Sequence, residues 1–525
     1  MLLTLLLYFT TVYALVIPSV VVQPQDVLQS HRSRPVDVSS LIDRNDFDSW
    51  IAVQPNISID HILDNIGGPC SFNNDNDHLP PGVVVAATSI KDPNYNYQWI
   101  RDAAITIDTL ITHLNDIGFA NHSIARTIEN YISNSYLVQR ATNPSGGFNS
   151  GGLGEPKFNI DNTPFTADWG RPQNDGPALR SITIMNYLNL VKKYNNDTLL
   201  SISDGNVYYN STKDIYTNII KPDLTYIIQH WNTRGFDLWE EINGVHFFTS
   251  LSQFKALKKG LIMAKHFKDY KFMEKLNAIT IRIQNFIWFD SGFIDKDFHR
   301  IYENPNFDHK YGLDIATIIA SLSCHAYSND LDDNLGFEIP FDVDDSYVLN
   351  SIYGFIKDQN RRYSVNHDED KLGISLGRYP NDVYDGVGTS LGNPWFLSNA
   401  YASLFIYRKL FKLLHYEEDL VISNKNFEFY NDYIYDLSNI SEDYTKFDFV
   451  VINYRSSEFN MMVNNLFSFG DSFLKVVFAH ITEDGELSEQ FNRDTGFSQG
   501  AQNLTWSYSS VWNALRERSI IDSLL

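Results

Sequence analysis

Twelve times along this chain, apolar residues recur at the three- and four-residue spacing that builds one face of a helix. These segments fall near 56–66, 101–118, 121–140, 176–194, 210–230 and 249–267, then near 270–287, 311–325, 345–358, 393–413, 460–479 and 506–518. Asp102, Asp175 and Thr249 read as helix starts, and Gly118 and Asn195-Asn196 as stops. The stretch 415–458 is polar and aromatic and shows no clear pattern. Twelve helices predict an all-α fold, a barrel of six helical hairpins. In such a barrel the connections alternate between its two ends. The long, Gly- and Pro-rich connections are about 67–100, 141–175, 231–248, 372–392 and 480–505, and each follows an odd-numbered helix. All five then lie at one end, where loops on a rigid scaffold carry function.

Composition narrows the class of partner. At 525 residues and 43% hydrophobic, the chain can bury a large core as a single unit. The formal net charge of −23 argues against nucleic acid or an anionic membrane as a partner, since both need clustered Lys and Arg, and suits a neutral substrate. The apolar run Met1–Ala14 is too short to cross a bilayer and reads as a cleaved signal peptide, although it lacks basic residues at its start. Residues 15–45 read as an extension or pro-segment, and 46–525 as the barrel. Sequons begin at Asn56, Asn121, Asn196, Asn210, Asn439 and Asn503, as expected of a secreted glycoprotein, wall-retained or vacuolar variants included. Cys70 and Cys324 allow one disulfide at most, or stand as two buried thiols.

The candidate chemistry lies in those loops. Phe236-Asp237-Leu238-Trp239-Glu240-Glu241 and the distant Ser488-Glu489-Gln490 set carboxylates beside aromatic and amide side chains. Cleaving a glycosidic bond takes two carboxyl groups, one to protonate the leaving oxygen and one on the other side of the sugar. Aromatic rings add flat apolar faces for a pyranose. The bland reading of Glu240-Glu241 is a favourable charge before a helix, and Glu483, Glu486 and Glu489 compete for the second role. In Tyr95–Asp102, the Arg101-Asp102 pair serves either as a helix cap with a surface ion pair or as a grip on sugar hydroxyls. Trp169 stands in a polar, Gly-rich loop and is expected to be partly exposed. A further loop holds Arg378, Asp382 and Trp395, and Trp506 follows the last. No H-E-x-x-H, C-x-x-C, P-loop or G-x-S-x-G is present, and Asn73–Asp77 lacks the glycine and terminal glutamate of a calcium loop. No metal and no cofactor are expected.

Taken in order, Y-x-W-x-R-D, G-E-P-K-F-N, W-G-R-P-Q-x-D-G-P-A-L-R, D-L-W-E-E, R-Y-P-x-D with N-P-W, and S-E-Q with L-T-W-S-Y resemble the fungal and yeast glucoamylases over roughly 45–520. The resemblance implies an (α/α)6 barrel with its site in a funnel at one end. It implies Glu240 as general acid and Glu489 as general base. It also implies inversion, with the two carboxyls roughly 6.5–9.5 Å apart to admit a water. Arg101, Asp102 and Arg378 match positions that hold the terminal glucose. Leu238, Trp239, Glu241 and Asp382 match contacts near the cleavage point, Tyr95 and Trp169 match aromatics that bracket the transition state, and Trp395 and Trp506 lie nearby. Gln490 of the S-E-Q motif joins these substrate contacts. The implied substrates are starch, glycogen and maltooligosaccharides, handled by a monomer. Many family members add a starch-binding module after a Ser/Thr-rich linker, and this sequence shows neither. A related barrel hydrolase of another α-glucoside, and a binding protein on an inactive scaffold, are the competing readings.

Overall fold

The computed structural model describes residues 46–525 apart from 71–78, 206, 306, 308–309, 326–337, 368–370 and 438–448. The signal peptide and extension expected over 1–45, the Asn73–Asp77 run and the Asn439 sequon lie outside the described residues. In chain order the helices are α1 (Phe47–Asp64), α2 (Ile100–Asp116), α3 (His122–Arg140) and α4 (Gly176–Asn195). There follow α5 (Thr212–Ile215), which runs through a π turn into α6 (Lys221–His230), then α7 (Phe247–His266) and α8 (Tyr270–Asn285). The last are α9 (Ala316–Cys324), α10 (Ser346–Gln359), α11 (Phe396–His415), α12 (Phe427–Tyr433), α13 (Ser457–His480) and α14 (Thr505–Leu524).

Two concentric rings account for all of these except α12 and the short α5 that leads into α6. Helices α2, α4, α7, α9, α11 and α14 pack each on the next, and α14 returns to α2, so the inner ring closes. Outside it, α3 packs on α2, α6 on α4, α8 on α7, α10 on α9, α13 on α11 and α1 on α14. This is the (α/α)6 barrel that the spacing predicts. Inner helices are covered on most sides, so α4, α7 and α11 bury most of their residues, Arg180, Lys255, Lys258, Lys259, Arg408 and Lys409 included. Outer helices such as α8 bury one stripe, Phe272, Leu276, Thr280 and Ile283.

Polar ties fix the rings where apolar packing alone would let helices slide. Arg180 of α4 and Asp223 of α6 form a buried two-pronged pair at 2.6 and 2.8 Å. At the seam, the Arg516 guanidinium of α14 reaches Asp116 of α2 at 2.8 Å across 400 residues of sequence. Arg518 of α14 and Tyr407 of α11 both donate to Asp471 of α13.

Several boundaries depart from expectation for local reasons. Helix α1 starts at Phe47 rather than near 56, because Asp46 caps it and Pro55 is carried inside. Asp175 occupies the cap position of α4, yet its carboxylate turns to Arg101 instead of the helix. Asp102 lies inside the first turn of α2, and His246, not Thr249, precedes α7. The stop at Asn195-Asn196 holds, with Asn196 left-handed at φ 46°. Within 415–458 the chain forms an antiparallel pair, Leu420–Ser423 with Phe449–Ile452, besides α12. Cys70 and Cys324 are both buried and unbridged.

Every connection from an outer helix to the next inner one emerges at the same end. The five expected long loops are among them, joined by a sixth, 291–315, that the spacing had not singled out.

Candidate active site

Short strand pairs stiffen five of these six loops. Gln98–Trp99 pairs antiparallel with Lys157–Phe158, so the first loop leans on the second. Helix α2 begins at the next residue and places Arg101 and Asp102 in its first turn. Gly235–Phe236 pairs with Asn243–Gly244, and the Trp-Glu-Glu segment is the tight turn between them. Buried Asp237 holds that turn by accepting the amides of Glu241 at 2.8 Å and Ile242 at 2.9 Å. Glu240 sits within it at φ 68°, a left-handed conformation that costs a non-glycine residue on the order of 1 kcal/mol or more. Such an outlier persists only where its surroundings over-determine it. Gly170 presses close enough that a Cβ would stand 2.7 Å from the Glu240 carbonyl.

The loops enclose a cavity of about 600 Å³. Of the residues proposed from sequence, Tyr95, Arg101, Asp102, Trp169, Leu238, Trp239, Glu240, Glu241, Arg378, Trp395, Glu489 and Trp506 line it. Two do not. Asp382 is buried behind the wall and spends both oxygens on Arg378, at 2.7 and 2.8 Å. Gln490 is fully buried, accepts from the Asn393 amide at 2.9 Å and bridges backbone to backbone with Trp395. Their contacts are with the wall itself, and they position the residues that face the cavity.

Glu240 is gripped on one oxygen. Its Oε1 accepts the indole N–H of Trp99 at 2.7 Å and the Gln173 amide at 2.8 Å, with the Arg101 guanidinium 3.8 Å away. Arg101 is held in turn by Gln173 at 2.8 Å and Asp175 at 3.0 Å, and its guanidinium lies 5.9 Å over Trp506. Its Nε lies 3.5 Å from the Asp102 Oδ2, an ion pair whose two atoms are buried and make no hydrogen bond among the described residues, while both residues line the cavity. Burial pushes the Asp102 carboxyl up to about 6 despite Arg101.

Glu489 is the sequence candidate that the fold selects. Neither Glu483 nor Glu486 lines the cavity, whereas Glu489 does and is 1% exposed. Its Oε2 accepts the Tyr384 hydroxyl at 3.1 Å, and Tyr384 shares a 2.9 Å bond with Tyr95. Burial drives its carboxyl up to about 8, while Arg378 and the two tyrosine hydroxyls pull the other way. Gly500, at φ 75°, packs beneath it where a Cβ would come 2.6 Å from that oxygen.

Arg378 joins the two halves. It pairs with Asp382, donates to Glu241 at 2.8 Å and lies over the rings of Trp239, Tyr384 and Trp395. The Trp239 indole is tied to Asp314 at 3.0 Å, and Asp314 to Lys310 at 2.9 Å, both residues of the sixth loop. Trp506 donates to Tyr401 at 2.7 Å. Trp99, Gln173, Tyr379 and Tyr384 shape the site without having been chosen from sequence, although each stands inside or beside a segment already picked out. Lys310, Asp314 and Phe307 come from the loop 291–315, which the spacing had not singled out. Among the described residues no cluster of His, Cys, Asp or Glu is arranged to hold a metal ion.

Two carboxyl groups on separate loops, an arginine on each side and a wall of indole rings define a carbohydrate-cleaving site on a helical barrel. The family model described as glycosyl hydrolases family 15 matches residues 70–516. A glucoamylase of Saccharomycopsis fibuligera is 44% identical over 490 residues, covering 92% of each chain. An intracellular sporulation-specific glucoamylase of Saccharomyces cerevisiae is 37% identical over 518 residues, covering 96% of this chain and 90% of that one. Among solved structures, a Saccharomycopsis fibuligera glucoamylase superposes with TM-score 0.87 at 44% identity, over 92% of this chain and 98% of that one. A Hypocrea jecorina glucoamylase superposes with TM-score 0.73 at 26% identity, over 90% of this chain and 72% of that one. The chain belongs to glycosyl hydrolases family 15 and is a glycoside hydrolase.

Proposed function

We propose that this hydrolase releases β-D-glucose from the non-reducing ends of α-1,4-linked glucans, starch, glycogen and maltooligosaccharides, and cleaves α-1,6 links more slowly. The observation that carries the reading is the placement of Glu240 and Glu489 on different loops of one cavity set at the mouth of a closed barrel. A barrel packed beneath the cavity favours entry by a chain end. The similarity to glucoamylases supports the same substrate class.

Glu240 serves as general acid. Its Oε1 is occupied by Trp99 and Gln173, so Oε2 is the oxygen left to carry the proton to the glycosidic oxygen. As that bond breaks, the carboxylate that forms is met by two N–H donors and the Arg101 charge. Glu489 serves as general base for the water that attacks the anomeric carbon from the opposite face. A base must be ionised, and burial works against this. Arg378, Tyr95 and Tyr384 favour the charged form, and the hydrogen bond from the attacking water adds to them. Arg101 and Asp102 line the cavity as an ion pair and supply a donor and an acceptor for hydroxyls of the terminal glucose. Single displacement inverts the anomeric centre.

Secretion and N-glycosylation belong to the same reading. Asn56, Asn196 and Asn210 are exposed, whereas Asn503 accepts the Tyr508 hydroxyl at 2.6 Å beside a residue that lines the cavity. Proton NMR on maltotriose tests the chemistry. The first product should be β-glucose with maltose; initial α-glucose would show retention and sink the roles given to Glu489 and the water.

A further inference from the structure

Behind the cavity wall lies a cation enclosed by rings. Lys157 is 2% exposed, and its ammonium stands 3.6 Å from the Trp169 ring centre, 4.1 Å from Tyr97, 4.2 Å from Phe165 and 4.4 Å from Trp99. The four rings touch in a closed circuit. Tyr97 meets Trp99 at 6.2 Å, Trp99 meets Trp169 at 6.0 Å, Trp169 meets Phe165 at 5.7 Å and Phe165 meets Tyr97 at 5.3 Å. Backbone pairing builds the arrangement, because Lys157 is the direct cross-strand partner of Trp99. Trp99 and Trp169 line the cavity; Lys157 does not.

We propose that Lys157 is a positioning residue for proton transfer, acting on Glu240 through the indole of Trp99. A cation over an aromatic face is attracted to the ring's electron density. It draws that density toward itself and makes the indole N–H a stronger donor. That N–H is the one that Glu240 Oε1 accepts at 2.7 Å. The positive charge and the strengthened hydrogen bond both favour the carboxylate that Glu240 becomes once its proton has gone to the leaving oxygen. The box also fixes the tilt of Trp99 and Trp169, and so fixes where Oε1 is held.

Burial and the neighbouring Arg171 charge pull the Lys157 ammonium down to about 8, while Glu240 acts to keep it charged. Arg171 is paired with Glu155 at 3.0 Å, Tyr97 and the other rings complete the surroundings of the ammonium, and Arg101 and Asp102 face Glu240 from α2. The proposal rests on Glu240 being the acid, so the experiment separates the two. The pH dependence of kcat on maltotriose is measured for the wild type and for Glu240→Gln, Lys157→Met, Lys157→Gln and Lys157→Arg, each checked for folding by thermal melting. Lys157→Met should move the basic limb to higher pH by roughly half to one pH unit and lower kcat more than it alters KM. Lys157→Arg should keep the wild-type limb. Lys157→Gln carries the same expectation as Met if the thioether variant does not fold, and failure of both to fold would make Lys157 a structural brace and overturn the proposal. An unshifted limb in a folded Met or Gln variant would also overturn it, with Glu240→Gln inactive. Activity retained in Glu240→Gln would instead overturn the assignment of the acid.

Discussion

Replacing Glu489 by glutamine should make the protein more stable, by a margin that grows with pH. The carboxyl is 1% exposed, and burial raises it from the ordinary 4.5 to about 8 in the folded protein. Between those values the unfolded chain has lost the proton that the folded one still binds, so stability falls as pH rises through the window. The slope is about 1.4 kcal/mol per pH unit for one proton. Over the whole window the wild type therefore loses on the order of 5 kcal/mol that the amide variant keeps, an upper bound because Arg378, Tyr95 and Tyr384 relax around the charge. Below pH 4.5 both states of the wild type hold the proton and the two proteins should differ little. Thermal or urea melts of both at pH 4.5, 6 and 8 check this, and every other titrating group cancels in the difference. A gap that stays constant, or that favours the wild type as pH rises, would refute the claim that the buried carboxyl opposes folding in its charged form.

Glu240→Gln should lower kcat by about a thousandfold or more while maltose binding, followed by tryptophan fluorescence, stays within a few-fold, since the amide keeps the hydrogen bonds and lacks the proton; activity within tenfold of wild type would remove Glu240 as the acid. Tyr384→Phe deletes a donor to the charged form of Glu489, so the acid limb of kcat/KM should move to higher pH, and an unmoved limb would show that this hydroxyl does not act on the base. Gly500→Ala forces a methyl group to within 2.6 Å of the Glu489 carboxylate at a backbone angle that disfavours it, and should cost about tenfold or more in kcat together with a lower melting temperature.

Most of the barrel was legible because helix spacing is a local property. The twelve spaced segments match the two rings, and loop lengths revealed which end carries the site. The first helix was clipped at Pro55, which reads as a breaker but sits in a helix already held by Asp46 and its outer-ring packing. The site was legible where glycine, tryptophan and acid stand together in one loop, as at Trp239-Glu240-Glu241. Contacts across loops were not. Sequence places Gln173 and Trp99 far from Glu240, and only the paired strands and the α2 start bring them to one oxygen. Gln490 shows the converse, since a residue next to Glu489 in an extended segment faces the other way. Asp382 follows a turn through left-handed Asn381 that brings its carboxylate back onto Arg378.

The closing of the inner ring has a bearing on what sugar binding does to the molecule. Helix α14 meets α2 at a seam whose two sides are separated by most of the chain, and the cavity lies over that seam, with Tyr95, Arg101 and Asp102 on one side and Glu489, Leu504 and Trp506 on the other. A glucose unit that touches both sides is a clasp between the beginning and the end of the polypeptide. Its binding stabilises the closed barrel by an amount that grows with the logarithm of the free sugar concentration above Kd.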